Sequence, residues 1–199
     1  MSRSIERDPL VIIVSAPSGS GKTTIIKHLL EKMPGVKRSI SYTTRPPREG
    51  EKQQEDYIFL SREEFEKKIE KGELLEWEEN FGHYYGTSKA QLDEAIENKE
   101  DLILSIDVKG ARKVREKIPE SISIFVMPPS VEELRSRLEG RNTDQETDVS
   151  QRLKESEREI ASSDEYDYVI VNVEIDKAVE ELYSIIEKER QNRQKMRKR

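Results

Sequence analysis

Residues Leu10-Val-Ile-Ile-Val-Ser15 form an almost unbroken apolar run, Ala16-Pro-Ser-Gly-Ser-Gly-Lys-Thr23 follows at once, and a helical pattern begins directly behind it. A strand feeding a Gly- and Ser-rich turn that opens a helix is the context a phosphate-cradling loop requires. Gly19 and Gly21 let successive backbone N–H groups converge on a β-phosphate. Lys22 has the reach for the β- and γ-phosphates, and the Thr23 hydroxyl suits Mg²⁺. A nucleoside triphosphate is therefore the first ligand to consider, although Ala16 stands where the usual pattern has a glycine. The simpler reading is a turn between a buried strand and an amphipathic helix, which does not account for Lys-Thr at the helix start.

The order of the remaining elements follows from periodicity. Ile25, Ile26, Leu29 and Leu30 recur at helical spacing over 24–33, and Pro34-Gly35 ends the run. Residues 40–60 alternate short extended pieces with turns, and Ser61-Arg-Glu-Glu64 is a capping box that opens a helix ending near Gly72. Leu74-Leu-Glu-Trp77 and Phe81-Gly-His-Tyr-Tyr-Gly86 read as aromatic-rich strands before a helix starting at Ser88. Doubly buried strands are expected at Leu102-Ile-Leu-Ser-Ile106 and Ile122-Ser-Ile-Phe-Val-Met127, with a helix to Lys117 between them and another capped at Ser130. A polar connection, 139–148, leads to a helix carrying Leu153 and Ile160. Tyr168-Val-Ile-Val171 and an amphipathic helix over 175–186 complete the chain. Strands followed by helices imply an α/β fold with a parallel sheet covered on both faces, interrupted by a small mixed insertion.

With 199 residues and 33% apolar content, the chain supports one substantial core. It contains no cysteine, which removes disulfides and thiolate sites. The lack of a long apolar N-terminal stretch predicts a cytoplasmic protein with no membrane association. Charged residues make up 38% of the chain and the net charge is −6, so the overall field does not favour nucleic acid. Local charge differs. Lys37, Arg38, Arg45, Arg48 and Lys52 crowd a Thr-, Pro- and Gly-rich stretch with no apolar period, suited to a compact anion. The basic run 190–199 reads as a solvated helix end rather than a nucleic-acid arm.

Taken together, the sequence resembles the guanylate kinase family over about 10–189. The resemblance rests on Ser15-Ala-Pro-Ser-Gly-Ser-Gly-Lys-Thr23, Ser41-Tyr-Thr-Thr-Arg-Pro-Pro-Arg-Glu-Gly50, Asp56-Tyr57, Leu75-Glu-Trp77 and Tyr84-Tyr-Gly-Thr87. It extends through Ile106-Asp-Val-Lys-Gly110, Pro128-Pro-Ser130, Arg137-Leu-Glu-Gly-Arg141 and Tyr168-Val-Ile-Val-Asn172. It implies a P-loop NTPase-type three-layer fold with a parallel core sheet, a GMP-binding insertion and a helical lid. The core would comprise 9–39, 99–136 and 163–190, the insertion 40–98, the lid 137–162, and a basic tail 191–199. The implied activity is ATP:GMP phosphotransfer, reversible and Mg²⁺-dependent, giving ADP and GDP and extending to dGMP, with no obligate protein partner.

Residue by residue, the resemblance places the GMP phosphate on Arg45, Arg48, Tyr57 and Tyr85, and the base on Ser41, Glu76 and Thr87, with Asp107 lining the acceptor side. ATP would lie on Pro17, Ser18, Gly19, Ser20, Gly21, Lys22, Thr23 and Thr24, with Arg137 and Arg141 reaching over the phosphates and Asn172 near adenine. The expected catalytic set is Lys22, Arg45, Arg137, Arg141 and Arg152, and the expected Mg²⁺ contact is Thr23. The chemistry of these residue types agrees: arginine forks and phenols satisfy phosphate oxygens, and a carboxylate accepts from guanine N1–H and its amine.

Three positions depart from the family pattern. Ser105 stands where many members carry an aspartate before Asp107, Val173 replaces an aspartate often found after Asn172, and Ala16 replaces the first loop glycine, as in some members. Two other readings stay open on sequence alone. One is a non-catalytic module of this fold that binds a phosphorylated protein through the acceptor pocket, and the other is a kinase for a different small molecule. Intact Gly21-Lys22-Thr23 favours an enzyme, and Glu76 with Ser41 would decide the acceptor.

Overall fold

The computed structural model describes residues 9–139 and 146–197. The chain opens with β1 (Val11–Ser15), α1 (Lys22–Lys32) and β2 (Val36–Arg38). An insertion follows with β3 (Tyr42–Thr43), β4 (Ile58–Phe59), α2 (Arg62–Glu70), β5 (Leu74–Asn80), β6 (His83–Ser88) and α3 (Lys89–Glu97). The core resumes with β7 (Asp101–Ser105), α4 (Val108–Lys117) and β8 (Ile122–Met127). A helical pair, α5 (Val131–Glu139) and α6 (Glu146–Ala161), precedes β9 (Tyr168–Val171) and α7 (Ile175–Arg197).

Five strands make a wholly parallel sheet in the order β2-β7-β1-β8-β9. Its centre, β1, is buried along its whole length. Because side chains alternate along a strand, Ile12 and Val14 enter one core with α1 and α7, contributed by Ile25, Leu29, Val179 and Leu182. Val11 and Ile13 enter the opposite core with Leu92, Val114 and Phe125. Covering both faces is what allows the near-continuous apolar runs to serve as strands. The β1 to α1 turn therefore emerges at the middle of the sheet, at the carboxyl ends of the strands, where open α/β sheets bind ligands.

The insertion forms a second, four-stranded sheet, β4-β3-β6-β5, in which β3 and β4 run parallel and the other pairs antiparallel. It is docked through α4: Lys113 Nζ donates to the Trp77 carbonyl at 2.8 Å and Lys117 Nζ to the Leu75 carbonyl at 2.5 Å. The capping box at Ser61 and Glu64 is present in both directions. The helices α5 and α6 share a small cluster of their own, Leu134 with Leu153 and Ile160.

Two readings need correction. Lys37 and Arg38, read with Arg45, Arg48 and Lys52 as one basic stretch without an apolar period, belong instead to β2, an edge strand paired to β7. A three-residue strand with one apolar residue, Val36, is too short to show a period. The basic run at 190–199 is also not simply solvated, since α7 continues to Arg197. Arg190 Nε is 2.7 Å from fully buried Asp101, whose other oxygen accepts from the Leu10 N–H at 2.8 Å. Arg193 donates to the carbonyls of Pro9 and Glu120 at 3.1 and 2.6 Å. These arginines tie the last helix to the start of β1. Among the described residues no helix is long and apolar enough to cross a membrane.

Candidate active site

The phosphate loop is held by main-chain geometry. Gly19 and Gly21 sit at φ 91° and 89°, in the left-handed region, and Ser20 N–H closes a turn onto the Pro17 carbonyl at 3.1 Å. Ser20 is fully buried and its hydroxyl has no hydrogen-bond partner among the described residues. Thr23 and Thr24 stand exposed at the first turn of α1. Below the loop, Asn172 is only 1% exposed and donates through Nδ2 to the Ser20 carbonyl at 2.7 Å, while its own N–H is held by the Met127 carbonyl at 2.8 Å. A Cβ at Gly21 would come within 2.5 Å of that Nδ2. The structure thus gives Asn172 a task that the adenine assignment did not anticipate: it braces the loop from beneath.

Lys22 Nζ donates to the Ile106 carbonyl at 3.2 Å, which places it at the end of β7. Burial draws its pKa below the usual lysine value, Glu159 and Asp107 oppose that shift, and Arg38 adds to it. The ammonium thus lies in a polar junction between the core and α6. Thr23, exposed beside it, fits a magnesium ion that takes most of its ligands from phosphate and water.

The insertion supplies the expected acceptor residues. Arg45 Nη2 contacts both oxygens of Glu51 at 2.8 Å, Nη1 donates to the Pro46 carbonyl at 2.7 Å, and the guanidinium lies 5.5 Å over the Tyr57 ring. Tyr57 meets Tyr85 edge to face at 6.2 Å. Burial raises the Tyr57 pKa, so the phenol stays a proton donor at neutral pH. The exposed Arg48 joins through its backbone, whose N–H donates to Glu51 at 2.7 Å. Arg45, Tyr57 and Tyr85 are brought together as one group. Ser41, just before β3, accepts the Ile58 N–H through its carbonyl at 2.9 Å.

A register irregularity aims Glu76. Leu74 pairs with Ser88 but Glu76 pairs with Thr87, so Leu75 is the extra residue of a bulge. The bulge lets Leu75 enter the main core while Glu76 faces inward on the insertion sheet. Thr87 Oγ1 donates to Glu76 Oε1 at 2.5 Å. Burial lifts the Glu76 pKa to about 7; Thr87 and Lys113 act downward, and Asp107 and Glu78 upward. Asp107 caps α4, accepting the Gly110 N–H at 2.8 Å, and its other oxygen accepts from Asn80. A Cβ on Gly110 would lie 2.8 Å from Glu76 Oε2 and 3.3 Å from Asp107 Oδ1, so the two carboxylates converge over that glycine.

On the helical pair, Arg137 is engaged with Glu133 at 3.0 Å, one turn earlier on α5. Arg152 is half-buried on α6. Arg141 lies outside the described residues. Sequence reasoning missed Asn80 and Glu159. Glu159 is seven residues beyond Arg152 and shares its helix face, the one signal that pointed to it. Burial pushes its pKa to about 7, with Lys22 the principal opposing charge.

The site residues thus fall into three groups: a phosphate loop with its lysine, an arginine with two phenols, and a buried carboxylate-hydroxyl pair. Comparison with known proteins gives a consistent picture. The family model described as guanylate kinase matches residues 8–189. The chain is 45% identical over 183 residues to a guanylate kinase of Caldanaerobacter subterraneus subsp. tengcongensis, covering 92% of this chain and 89% of that one. It is 48% identical over 177 residues to one from Symbiobacterium thermophilum, covering 89% and 84%. The crystal structure of guanylate kinase from Anaplasma phagocytophilum superposes with a TM-score of 0.79 at 35% identity, covering 93% of this chain and 88% of the other. The chain belongs to the guanylate kinase family.

Proposed function

We propose that this protein is a cytoplasmic ATP:GMP phosphotransferase that also accepts dGMP. A GMP phosphate oxygen attacks the γ-phosphorus of ATP, the bond to the β-phosphate oxygen breaks, and that oxygen keeps the electron pair as ADP leaves with GDP. The nucleophile is already an anion near neutral pH, so no side-chain base is needed. Catalysis rests on alignment and on charge placed at the transferring group. Lys22 and the loop N–H groups hold the triphosphate, and Arg45, Tyr57 and Tyr85 with Arg48 fix the acceptor phosphate. Arg137, Arg141 and Arg152 supply further positive charge from the helical pair. Mg²⁺, bound with the triphosphate at Thr23, would neutralise phosphate charge.

The observation that carries this reading is the buried Glu76–Thr87 pair beside the phosphate pocket. An ionised carboxylate only accepts, so it complements guanine N1–H and the 2-amino group, whereas adenine would turn its N1 lone pair toward like charge. The test is ADP production with Mg·ATP and each of GMP, dGMP, AMP, CMP and UMP, with Lys22→Ala as control. Turnover dependent on GMP or dGMP and lost by about a hundredfold or more in the control is expected. Equal rates with all acceptors, or an unaffected control, would overturn the reading.

A further inference from the structure

Of the five basic side chains between 37 and 52, three are neutralised by neighbours. Lys37 is held 2.7 Å from Glu100, Arg45 2.8 Å from Glu51 and Lys52 3.1 Å from Glu55. Arg38 differs. It ends β2 in register with Ile103, and the next residue's N–H closes onto the Ile103 carbonyl at 2.9 Å, so its backbone belongs to the rigid core sheet. Its side chain crosses to the insertion, where Nη2 donates to the main-chain carbonyls of Glu55 and Asp56, immediately before Tyr57. Carbonyls orient a guanidinium without cancelling its charge. Among the described residues no carboxylate lies within ion-pair distance of it, and its hydrogen bonds all leave from Nη2. A guanidinium has five N–H donors, so Nε and Nη1 remain for another acceptor. The charge is felt by both Lys22 and Tyr57, disfavouring the protonated form of Lys22 and favouring ionisation of Tyr57.

We propose that Arg38 is a further acceptor-phosphate ligand, a core-borne cation that pins the turn before Tyr57 and directs its free edge at the phosphate between Tyr57 and Lys22. The assignment rests on the acceptor reading given above. Arg45 and Arg48 are borne by the insertion. Arg38 is anchored in the sheet that carries the phosphate loop, so it fixes the acceptor phosphate relative to the donor rather than to the guanine pocket. That division of labour gives the core its own hold on the nucleophile before transfer.

The test uses Trp77, the single tryptophan, which adjoins Glu76 and meets Tyr84 edge to face at 5.6 Å. Its fluorescence reports titrations of wild type, Arg38→Gln and Arg38→Lys with GMP and with guanosine, alongside kcat and KM for both substrates and thermal melting. Arg38→Gln is expected to bind GMP about tenfold or more weakly, as loss of a charge-assisted hydrogen bond predicts, with guanosine affinity unchanged. Arg38→Lys should recover part of the loss, because charge returns without the fork. Equal weakening toward GMP and guanosine would make Arg38 a pin for the turn alone and overturn the proposal, as would unchanged GMP affinity in both variants. A wild-type protein that binds neither GMP nor guanosine would instead remove the acceptor reading and this assignment with it.

Discussion

The proposed site has a donor half and an acceptor half, and the two are built in different ways. The donor half is a main-chain object: two glycines with positive φ, a fixed turn, and a buried asparagine bracing the loop from below. The acceptor half is assembled from side chains on β5 and β6, on the segments flanking β3 and β4, and at the start of α4. Its charges are partly matched internally, Arg45 by Glu51 and Glu76 by the Thr87 hydroxyl. A main-chain cradle has few ways to deform and should fail abruptly. A side-chain pocket can lose one member and retain weakened binding. The contrast predicts steep losses of turnover on one side and graded losses of affinity on the other.

Gly21→Ala should break the donor half with the largest effect. The new Cβ would sit at a backbone angle that L residues rarely adopt and 2.5 Å from the Asn172 amide. Either the loop shifts or the asparagine releases the Ser20 carbonyl. Misplacement of this kind costs about a hundredfold in turnover even when binding survives. The expected outcome is a collapse of kcat at saturating substrates with GMP binding, read through Trp77, preserved within about threefold, a difference of under 1 kcal/mol. Loss of GMP binding to the same extent would show that the halves are not separable.

On the acceptor side the sharper probe is pH. Glu76 titrates near 7 in the folded protein against an ordinary value of 4.5, because burial disfavours its charge. Between those pH values the folded chain holds a proton that the unfolded chain has released. Stability from this residue is therefore complete below 4.5 and lost as pH rises through 7, a change of roughly 3 kcal/mol. Glu159 shifts in the same direction and adds to the slope. On the proposed function the effect on binding runs the opposite way, because the carboxylate would have to be ionised to accept from guanine. KM for GMP should fall as pH rises through about 7, while melting temperature falls as well. Glu76→Gln should remove that limb of the KM profile, flatten part of the stability curve, and raise KM for GMP by about tenfold or more through loss of a charged acceptor. An unchanged profile would remove Glu76 from base recognition.

The same contrast explains what the sequence could reveal. The donor loop is contiguous from 15 to 24 and depends on glycine, so its chemistry was readable, as were α1, the capping box at Ser61 and the apolar strands β7 and β8. The acceptor residues were placed only through resemblance, because Arg45, Tyr57, Glu76 and Thr87 come together through strand pairing that no local pattern records. Three features left no local signal at all. The three-residue β2 is too short and polar to show a period. Asn172 reaches the loop across 152 residues of chain, and its burial could not be inferred from an amide after an apolar strand. Arg190 and Arg193 look like tail charge until the neighbouring β1 and Asp101 are in place. Gly110 carried a signal of another kind, since its role depends on the approach of Glu76 from the insertion rather than on its own backbone.

The smallest expected effect tests whether the internal ion pairing of the acceptor half helps or hinders it. Glu51 receives Arg45 through Nη2 and Arg48 through its backbone N–H, Pro46 takes Nη1, and Tyr85 also hydrogen-bonds the Arg45 side chain, so the fork is oriented by its own neighbours. On that geometry Glu51 is a buttress that sets the direction of the fork. Glu51→Gln retains a carbonyl acceptor but loses the charge, so the fork is held less firmly. GMP affinity should weaken by about threefold, within the range of a partly exposed ion pair, with kcat nearly unchanged and the loss diminishing at high salt. Tighter binding in this variant would reverse the interpretation. Glu51 would then be an internal competitor for Arg45, and the acceptor half would be a pocket that GMP must open against its own carboxylate.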